Sequence, residues 1–190
     1  MIQNILPVVA DELNDYLKST FNSVEDKVII SNIINQDGSV AVEGNNKVVI
    51  TLINVTEEST LRANANNKLI NTSFLEFAPP VTVNLTLLFS AFFSSKNYLE
   101  ALRFISGVIY FFQSKPLFTN QNTPNLIGDT DKIHFDILSM QQQELMNIFS
   151  MMGAKYMPSV VYKMKMLTFS QDNIISEIPA VRGLGLDNRP

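Results

Sequence analysis

Residues 97–124 read NYLEALRFISGVIYFFQSKPLFTNQNTP, an almost wholly apolar helix followed by a short, proline-punctuated strand and loop. One set of apolar residues recurs at helical spacing, namely Leu99, Leu102, Ile105, Ile109 and Phe112. A second set fills the remaining faces of the second half, namely Phe104, Val108, Tyr110 and Phe111. The pattern predicts a helix at the centre of the core whose second half is covered on all sides.

Both ends of this helix are marked in the sequence. Asn97 and Glu100 have the spacing of a capping box, in which two side chains satisfy the first free amides of a helix. Lys115 and Pro116 end the helix, because a proline pushes the preceding residue out of the helical region. We therefore predict a helix that begins after Asn97 and ends near Lys115.

Periodicity predicts further elements on both sides of this helix. An amphipathic helix is expected from near Asn4 to Phe21. Another is expected to begin at a cap formed by Ser139 and Gln142 and to end at Gly153. Strands are expected at Val28–Asn32, Lys47–Val55, Val81–Ala91, Ile133–Ile137 and Val160–Phe169. The predicted order of elements is α-β-β-β-α-β-α-β.

This order is typical of an α+β fold, with a mixed, mainly antiparallel sheet that is flanked by helices and covered on one face. No glycine-rich phosphate loop follows a predicted strand, so a doubly wound nucleotide-binding fold is not expected. A chain of 190 residues suits a single core domain. We expect that domain to span residues 1–170, and residues 171–190 to form an extended C-terminal tail.

Two segments carry apolar residues outside any predicted element. The first runs from Thr56 to Ala78, has no clear period and ends with Phe74, Leu75 and Phe77. The second is the tail, where apolar residues stand among glycines and prolines without forming a full element. These tail residues are Ile174, Ile175, Ile178, Val181, Leu184 and Leu186.

Composition excludes several functional classes. The net charge is -4 and the basic residues form no stripe, so a nucleic-acid partner is not expected. The chain has no cysteine, which excludes disulfides, thiolate nucleophiles and the commonest structural zinc sites. No apolar run approaches the roughly 20 residues of a membrane span, and the first residues lack a signal-peptide pattern. We therefore expect synthesis in the bacterial cytoplasm without membrane insertion.

The sequence offers few reactive groups. His134 is the only histidine, and it alternates with the apolar residues of its strand, so we expect it to point to the opposite face from Ile133 and Phe135. A satisfied or solvent-facing histidine is expected there rather than a catalyst. Asp129, Asp131 and Asp136 lie near it, but their spacing does not direct them at one metal ion. We expect no catalytic, cofactor-binding or metal site, and hence no enzyme.

Four long stretches, in order along nearly the whole chain, carry a family resemblance. They are ILPVVADELNDYLKS (5–19), NKVVITLINVTEESTLR (46–62), VTVNLTLLFSAFFSSKNYLEALRFISGVIYFFQSKPLFT (81–119) and LSMQQQELMNIFSMMGAKYMPSVVYKMKML (138–167). In these stretches the chain resembles the tail-terminator, or cap, proteins of phage-tail-like contractile injection systems. The resemblance implies a phage tail-terminator-like fold and a homohexameric ring with no enzymatic step. It also implies that the ring sits at the baseplate-distal end, binds the inner tube and sheath proteins, and stops their growth.

This resemblance turns the two apolar segments into candidate interfaces. We expect residues 170–190 to add as a strand to a sheet of a neighbouring subunit or of the last sheath layer. We expect Phe74, Leu75 and Phe77 to contact a neighbouring subunit or the tube. The protein would then reside in an assembled phage-tail-like particle, either inside the cell or released from it.

Two other functions stay open on the sequence. The protein could be a tube-initiating or baseplate adaptor of the same particle, which would also form a ring. A small-molecule enzyme would need titratable groups that converge in a cleft, and this chain offers one histidine and no cysteine.

Overall fold

The computed structural model describes residues 2–58, 66–70, 73–77, 81–126, 132–169 and 174–179. By their contacts the residues divide into two compact units. The larger unit comprises Met1–Thr56 and Val83–Leu167, and the smaller unit comprises Glu57–Thr82 and Thr168–Pro190. The smaller unit thus combines the two segments whose apolar residues have no local partner in the sequence.

In chain order the elements are α1 (Ile2–Phe21), β1 (Val28–Ile30), β2 (Lys47–Glu57), β3 (Asn66–Ile70), β4 (Ser73–Phe77), β5 (Val81–Phe92), α2 (Tyr98–Ser114), β6 (Leu117–Thr119), β7 (Lys132–Ile137), α3 (Gln142–Met151), β8 (Ser159–Phe169) and β9 (Ile174–Pro179). The predicted α+β class and the order of the predicted elements are confirmed. The sequence pattern does not predict β3, β4 and β9, which all belong to the smaller unit.

A six-stranded sheet in the order β1-β2-β5-β8-β7-β6 forms the frame of the larger unit. Strand β1 runs parallel to β2, with Val28 opposite Val48. Strand β7 runs antiparallel to both of its neighbours, β6 and β8. The sheet is therefore mixed, as predicted, and its two edge strands are only 3 residues long.

Helices α1 and α2 cover one face of this sheet. Phe112 of α2 lies at the centre of that face, with its ring centroid 4.4 Å from that of Phe135 and 4.6 Å from that of Tyr162. Phe89 of β5 and Phe118 of β6 also contact the Phe112 ring. The predicted position of α2 at the centre of the core is confirmed.

The two helices approach each other closely at Gly107 of α2. A Cβ atom at this position would lie 2.7 Å from Leu17 Cδ2 and 2.9 Å from the ring of Phe21, both on α1. A side chain at this position would have to displace the ends of the Leu17 and Phe21 side chains, so glycine permits the closest approach of the two helices. It does so although it costs about 1 kcal/mol of helix propensity relative to alanine.

The opposite face of the sheet is covered as well, which corrects the expectation of a sheet covered on one face. A second cluster of buried residues joins the sheet to α3 and to the segment between β1 and β2; its members are Ile33, Val42, Val49, Leu88, Ile148, Phe149 and Val161. Leu87, Leu88 and Phe89 of β5 are consecutive and all fully buried, so this strand is covered on both faces. The alternation of apolar and polar residues along the rest of β5 conceals this arrangement in the sequence.

Helix α2 does not begin with the predicted capping box. A 3-10 turn at Ser95–Asn97 precedes the helix, and the Asn97 side chain makes no cap. The Asn97 N–H instead donates to the Ser94 carbonyl at 2.9 Å. A capping box would have used that N–H for the Glu100 side chain, so the turn has taken the box's place.

The other two helices also begin away from their predicted first residues. Helix α3 has a capping box, in which Gln141 N–H donates to Glu144 Oε2 at 2.8 Å, rather than one formed by Ser139 and Gln142. Helix α1 begins at Ile2 instead of near Asn4. The periodic core of each helix is correct, and only the terminal turn differs.

A buried amide joins α1 to the sheet. Asn14 Oδ1 accepts from the N–H groups of Lys27 and Val28, both at 2.8 Å, and Asn14 Nδ2 donates to the Val28 carbonyl at 3.0 Å. Asn14 is 6% exposed, so water cannot easily replace these bonds. This side chain fixes the position at which β1 begins.

We predict that Asn14→Ala lowers the free energy of unfolding by about 1–3 kcal/mol for each buried group left without a partner. Urea denaturation followed by circular dichroism measures the change. The matched control is Asp15→Ala, which removes an exposed side chain from the next position of α1. Equal stability of the two variants would contradict the role assigned to Asn14.

Candidate interaction surfaces

The titratable side chains around His134 form an exposed cluster. His134 Nδ1 lies 3.2 Å from Asp136 Oδ1, and Lys165 Nζ lies 2.5 Å from Asp136 Oδ2. The hydrogen bond from Lys165 lowers the pKa of Asp136, and the charge of His134 lowers it further. The three side chains are 37% to 41% exposed, so His134 is partly exposed and also has Asp136 as a partner.

Within the part of the chain that the structure describes, no three His, Cys, Asp or Glu side chains are placed to hold a metal ion. Asp129 and Asp131, which the sequence places near His134, lie outside the described residues. Among the described helices, none has the length and apolar character needed to cross a bilayer. The next candidate functional sites are apolar surfaces.

The first such surface is the outer side of α2, which we call the α2 face. It consists of Tyr98, Leu99, Leu102, Ile109 and Tyr110, with Leu99 81% and Tyr110 63% exposed. The prediction that the second half of this helix is covered on all sides is wrong for the single chain, because the sheet and α1 reach only its inner side. A row of exposed apolar residues along one side of a helix makes this side a candidate binding surface.

The second surface is a cavity of about 260 Å³ beside β2, which we call the β2 groove. Its walls come from the segment after β1, from the middle of β2 and from the end of α3. The lining residues are Asn32, Ile33, Ile34, Asn35, Gln36, Thr51, Leu52, Ile53, Met151 and Met152. The lining has no ionisable side chain, so the groove suits an uncharged, largely apolar group rather than an ionic substrate.

Further candidate residues lie on the three-stranded sheet of the smaller unit, in the order β3-β4-β9. Its backbone register places Phe74 between Leu69 on one side and Ile178 on the other, and Phe77 opposite Ile174. The sheet thereby brings together candidate interface residues that lie about 100 positions apart in the sequence. Their predicted contact with a neighbouring subunit or with the tube stays a prediction.

The tail differs from its predicted form. Residues Ile174–Pro179 form strand β9, which pairs antiparallel with β4 of the same chain, whereas the sequence predicts no full element there. A register shift between Glu76 and Phe77 leaves Ile175 without a Cα partner on β4. This irregularity explains the missing signal, because it interrupts the alternation by which a strand is recognised. Val181, Leu184 and Leu186 lie outside the described residues.

Sequence reasoning missed the α2 face and the β2 groove. Leu99 and Leu102 have the spacing of core residues, and only the position of the sheet reveals that they point outward. One signal was available, since Tyr98 and Tyr110 carry hydroxyl groups that a fully buried helix would have to pair. The groove has no such signal, because it is formed by segments far apart in sequence.

Comparison with known proteins identifies a family and similar solved structures. The model of the Pvc16 N-terminal domain family matches residues 5–183. The sheath and tube terminator of PVC, an extracellular contractile injection system, is similar in its extended state, with a TM-score of 0.64 and 14% identity over 97% of this chain. The tube-terminating cap of the anti-feeding prophage is similar with a TM-score of 0.57 and 15% identity over 93% of this chain. No curated protein matches the sequence.

At these identities the two solved structures establish the fold, which is that of tail terminators. The chain spans 61% of the length of the first protein and 58% of the second. The resemblance carried by the four quoted stretches is confirmed by the family match and by these structures. Both solved proteins are a terminator or a cap rather than an enzyme, in agreement with the expectation of a structural protein.

We predict that the double variant Leu99→Lys/Tyr110→Lys stays within about 0.5 kcal/mol per site of the parent chain in its free energy of unfolding, as is usual for exposed positions. Phe104→Ala, on the inner side of the same helix, should cost about 3–5 kcal/mol. Urea denaturation at low protein concentration compares the two. A double variant as unstable as Phe104→Ala would mean that the α2 face is packed within the chain.

Proposed function

The chain belongs to the Pvc16 N-terminal domain family, and from this membership we propose that it is a structural cap, or tail terminator, of a contractile injection particle. As a homohexameric ring, it closes the baseplate-distal end of the inner tube and sheath. The observation that carries this proposal is the likeness of its fold, over 97% of the chain, to a sheath and tube terminator.

Ending a helical assembly requires a protein that binds the growing end without recreating it. Each layer of a tube or sheath leaves open a heterologous surface to which the next identical layer adds. A ring of a different protein that binds this surface on one side offers nothing to the next layer. The proposed partners are therefore the inner tube protein, the sheath protein and further copies of this chain.

The exposed apolar surfaces of the chain suit such a role. Neighbours in a ring meet through two different patches, so each subunit needs a donor patch and an acceptor patch. The α2 face and the β2 groove are both open in the single chain. Burial of such surfaces between subunits is the usual reason that a soluble protein retains them.

We propose further that residues 1–170 form the core of each subunit and that residues 171–190 reach a neighbouring subunit or the last sheath layer. Strand β9 pairs with β4 of its own chain. We therefore assign the contact with a neighbouring subunit or with the last sheath layer to the residues after Pro179. Phe74, Leu75 and Phe77 are assigned to contact with a neighbouring subunit or the tube. We also propose that the protein is made in the cytoplasm and resides in the assembled particle. The similar solved terminator belongs to an extracellular contractile injection system, which supports residence in such a particle.

Localisation on isolated particles tests the proposed position. Gold-labelled antibody against this chain should bind at one end of the particle, the end away from the baseplate, in negative-stain images. A particle preparation from a strain that lacks the protein is the control for non-specific labelling. Signal at the baseplate would contradict the proposal and would support a tube-initiating or adaptor ring instead.

The proposed contact of β4 predicts that Phe74→Lys removes the chain from particle ends. A charge placed in an apolar contact must be desolvated without a partner, so binding should fall at least about tenfold. The matched control is Glu76→Lys on the same strand, whose register partners are the polar residues Asn67 and Ser176. Thermal unfolding of both variants separates loss of binding from loss of fold. Normal occupancy of particle ends by folded Phe74→Lys would refute the contact.

A further inference from the structure

Strands β7 and β8 carry basic side chains on the face of the sheet that points away from α1 and α2. The apolar residues Ile133 and Phe135 of β7, with Tyr162 and Met164 of β8, belong to the buried cluster beneath these two helices. Because side chains alternate along a strand, the residues between and beside them point to the opposite face. We call the basic members of that set the basic face, which consists of Lys132, His134, Lys163 and Lys165.

The basic face carries more positive charge than its own chain neutralises. Lys132 is exposed, and the side chains of His134 and Lys165 are partly exposed. Asp136 is the only carboxylate on β6, β7 or β8, and it contacts both His134 and Lys165. Within the part of the chain that the structure describes, Lys132 and Lys163 have no ion pair. An acidic group from another molecule can therefore bind here without first breaking an ion pair.

Helix α1 carries the complementary charge on its outer side. Asp11 and Asp15 are both exposed and lie about one helical turn apart, on the same side of α1. Lys18 lies on that side too, but Asp26 Oδ1 binds its ammonium group at 2.5 Å. The hydrogen bond to Asp26 raises the pKa of Lys18, and the charges of Asp15 and Asp11 raise it further. One cation thus faces three carboxylates, and this side of α1 keeps a net negative charge.

These two charged surfaces cannot meet within one chain. Helix α1 covers one face of the six-stranded sheet, and the basic face lies on the other. Neither surface can pair with a copy of itself, because like charges repel. Contact between them requires two copies of the chain that meet through different patches. Such a contact is heterologous, as the contacts of a closed ring are.

We propose that the basic face binds Asp11 and Asp15 of a second copy. This inference rests on the proposed function, since it names the contact between neighbours in the proposed ring. Charge complementarity between two described surfaces of one chain is the observation that selects the second copy. A nucleic acid fits less well, because the Asp136 carboxylate stands among the lysines and repels a continuous row of phosphates.

Zero-length cross-linking tests the contact directly. A carbodiimide condenses a carboxylate with a lysine amine that lies against it; an amide bond forms, and the carbodiimide takes up the released water as a urea. Full-length chain labelled with a heavy isotope of nitrogen is mixed with unlabelled chain before the reaction. We expect mass spectrometry to identify amides that join Asp11 or Asp15 of one copy to Lys132 or Lys163 of another. The same amides are expected on isolated particles.

The ion pair of Glu12 and Lys115 is the positive control for this reaction, because its nitrogen and oxygen lie 2.5 Å apart within each chain. The proposal is overturned if the control amide forms, in solution and on particles, without any amide between α1 and the basic face. Amides that join the basic face to the tube or sheath protein instead would overturn the second copy as its occupant.

Charge reversal is a second, independent test. One full-length variant carries Asp11→Lys/Asp15→Lys, and another carries Lys132→Glu/Lys163→Glu. Either variant alone places like charges at every contact, so association should weaken at least about tenfold. An equimolar mixture restores opposite charges at every contact when the two variants alternate, which a ring with an even number of subunits allows. Light scattering and occupancy of isolated particle ends should show assembly of the mixture only.

Two matched controls reverse exposed charges that belong to neither surface. They are Glu43→Lys and Lys96→Glu, and both should assemble as the parent chain does. Thermal unfolding identifies any variant that has lost its fold. Folded double variants that assemble alone as well as the parent chain would contradict the contact, and so would a mixture that assembles no better than its components.

These outcomes are distinct from failure of the proposed function. Chains that occupy the baseplate-distal end of the particle without these amides would retain the cap function and refute the charged contact alone. Chains that form the amides but never localise to that end would retain the contact between copies and refute the cap.

Discussion

Packing of the inner side of α2 against the six-stranded sheet is the interaction on which the larger unit depends. Phe112 contacts aromatic rings from β5, β6, β7 and β8, so one side chain connects four strands of the sheet. Burial of a phenylalanine side chain contributes about 1.5–3 kcal/mol, and here that contribution also holds the strands in register with the helix. Helix α1 then packs against α2 at Gly107, where a Cβ atom would press on the ends of the Leu17 and Phe21 side chains.

The same constraint leaves apolar surfaces of the larger unit open. A helix packed against a sheet buries one side only, and α2 carries apolar residues on both sides. Its outer side therefore stays exposed in the single chain, as does the β2 groove. The chain has few charged residues, and no metal-binding cluster is present among the residues that the structure describes. A fold of this kind with open apolar surfaces is suited to permanent contact with other proteins.

Local periodicity was sufficient to predict the elements of the larger unit, and it failed where contacts are non-local. Residues of α1, α2 and β5 repeat at helical or strand spacing, and their elements are present in the predicted order. Strands β4 and β9 escape prediction because each becomes a strand by pairing with the other, and the unpartnered Ile175 interrupts the alternation. The outward position of Leu99 and the burial of Leu88 depend on where the sheet lies. The candidate interface residues Phe74 and Ile178 could be named from sequence, but their pairing in one sheet could not.

The central claim is that this chain closes into a ring that caps a contractile tail, with heterologous contacts between identical subunits. The most direct test is the native mass of the purified protein, measured by light scattering and accompanied by negative-stain images. The account predicts a closed ring of about six times the chain mass of 21.3 kDa, with a central opening or density on the ring axis. A protein that stays monomeric both in solution and on isolated tube ends would contradict it.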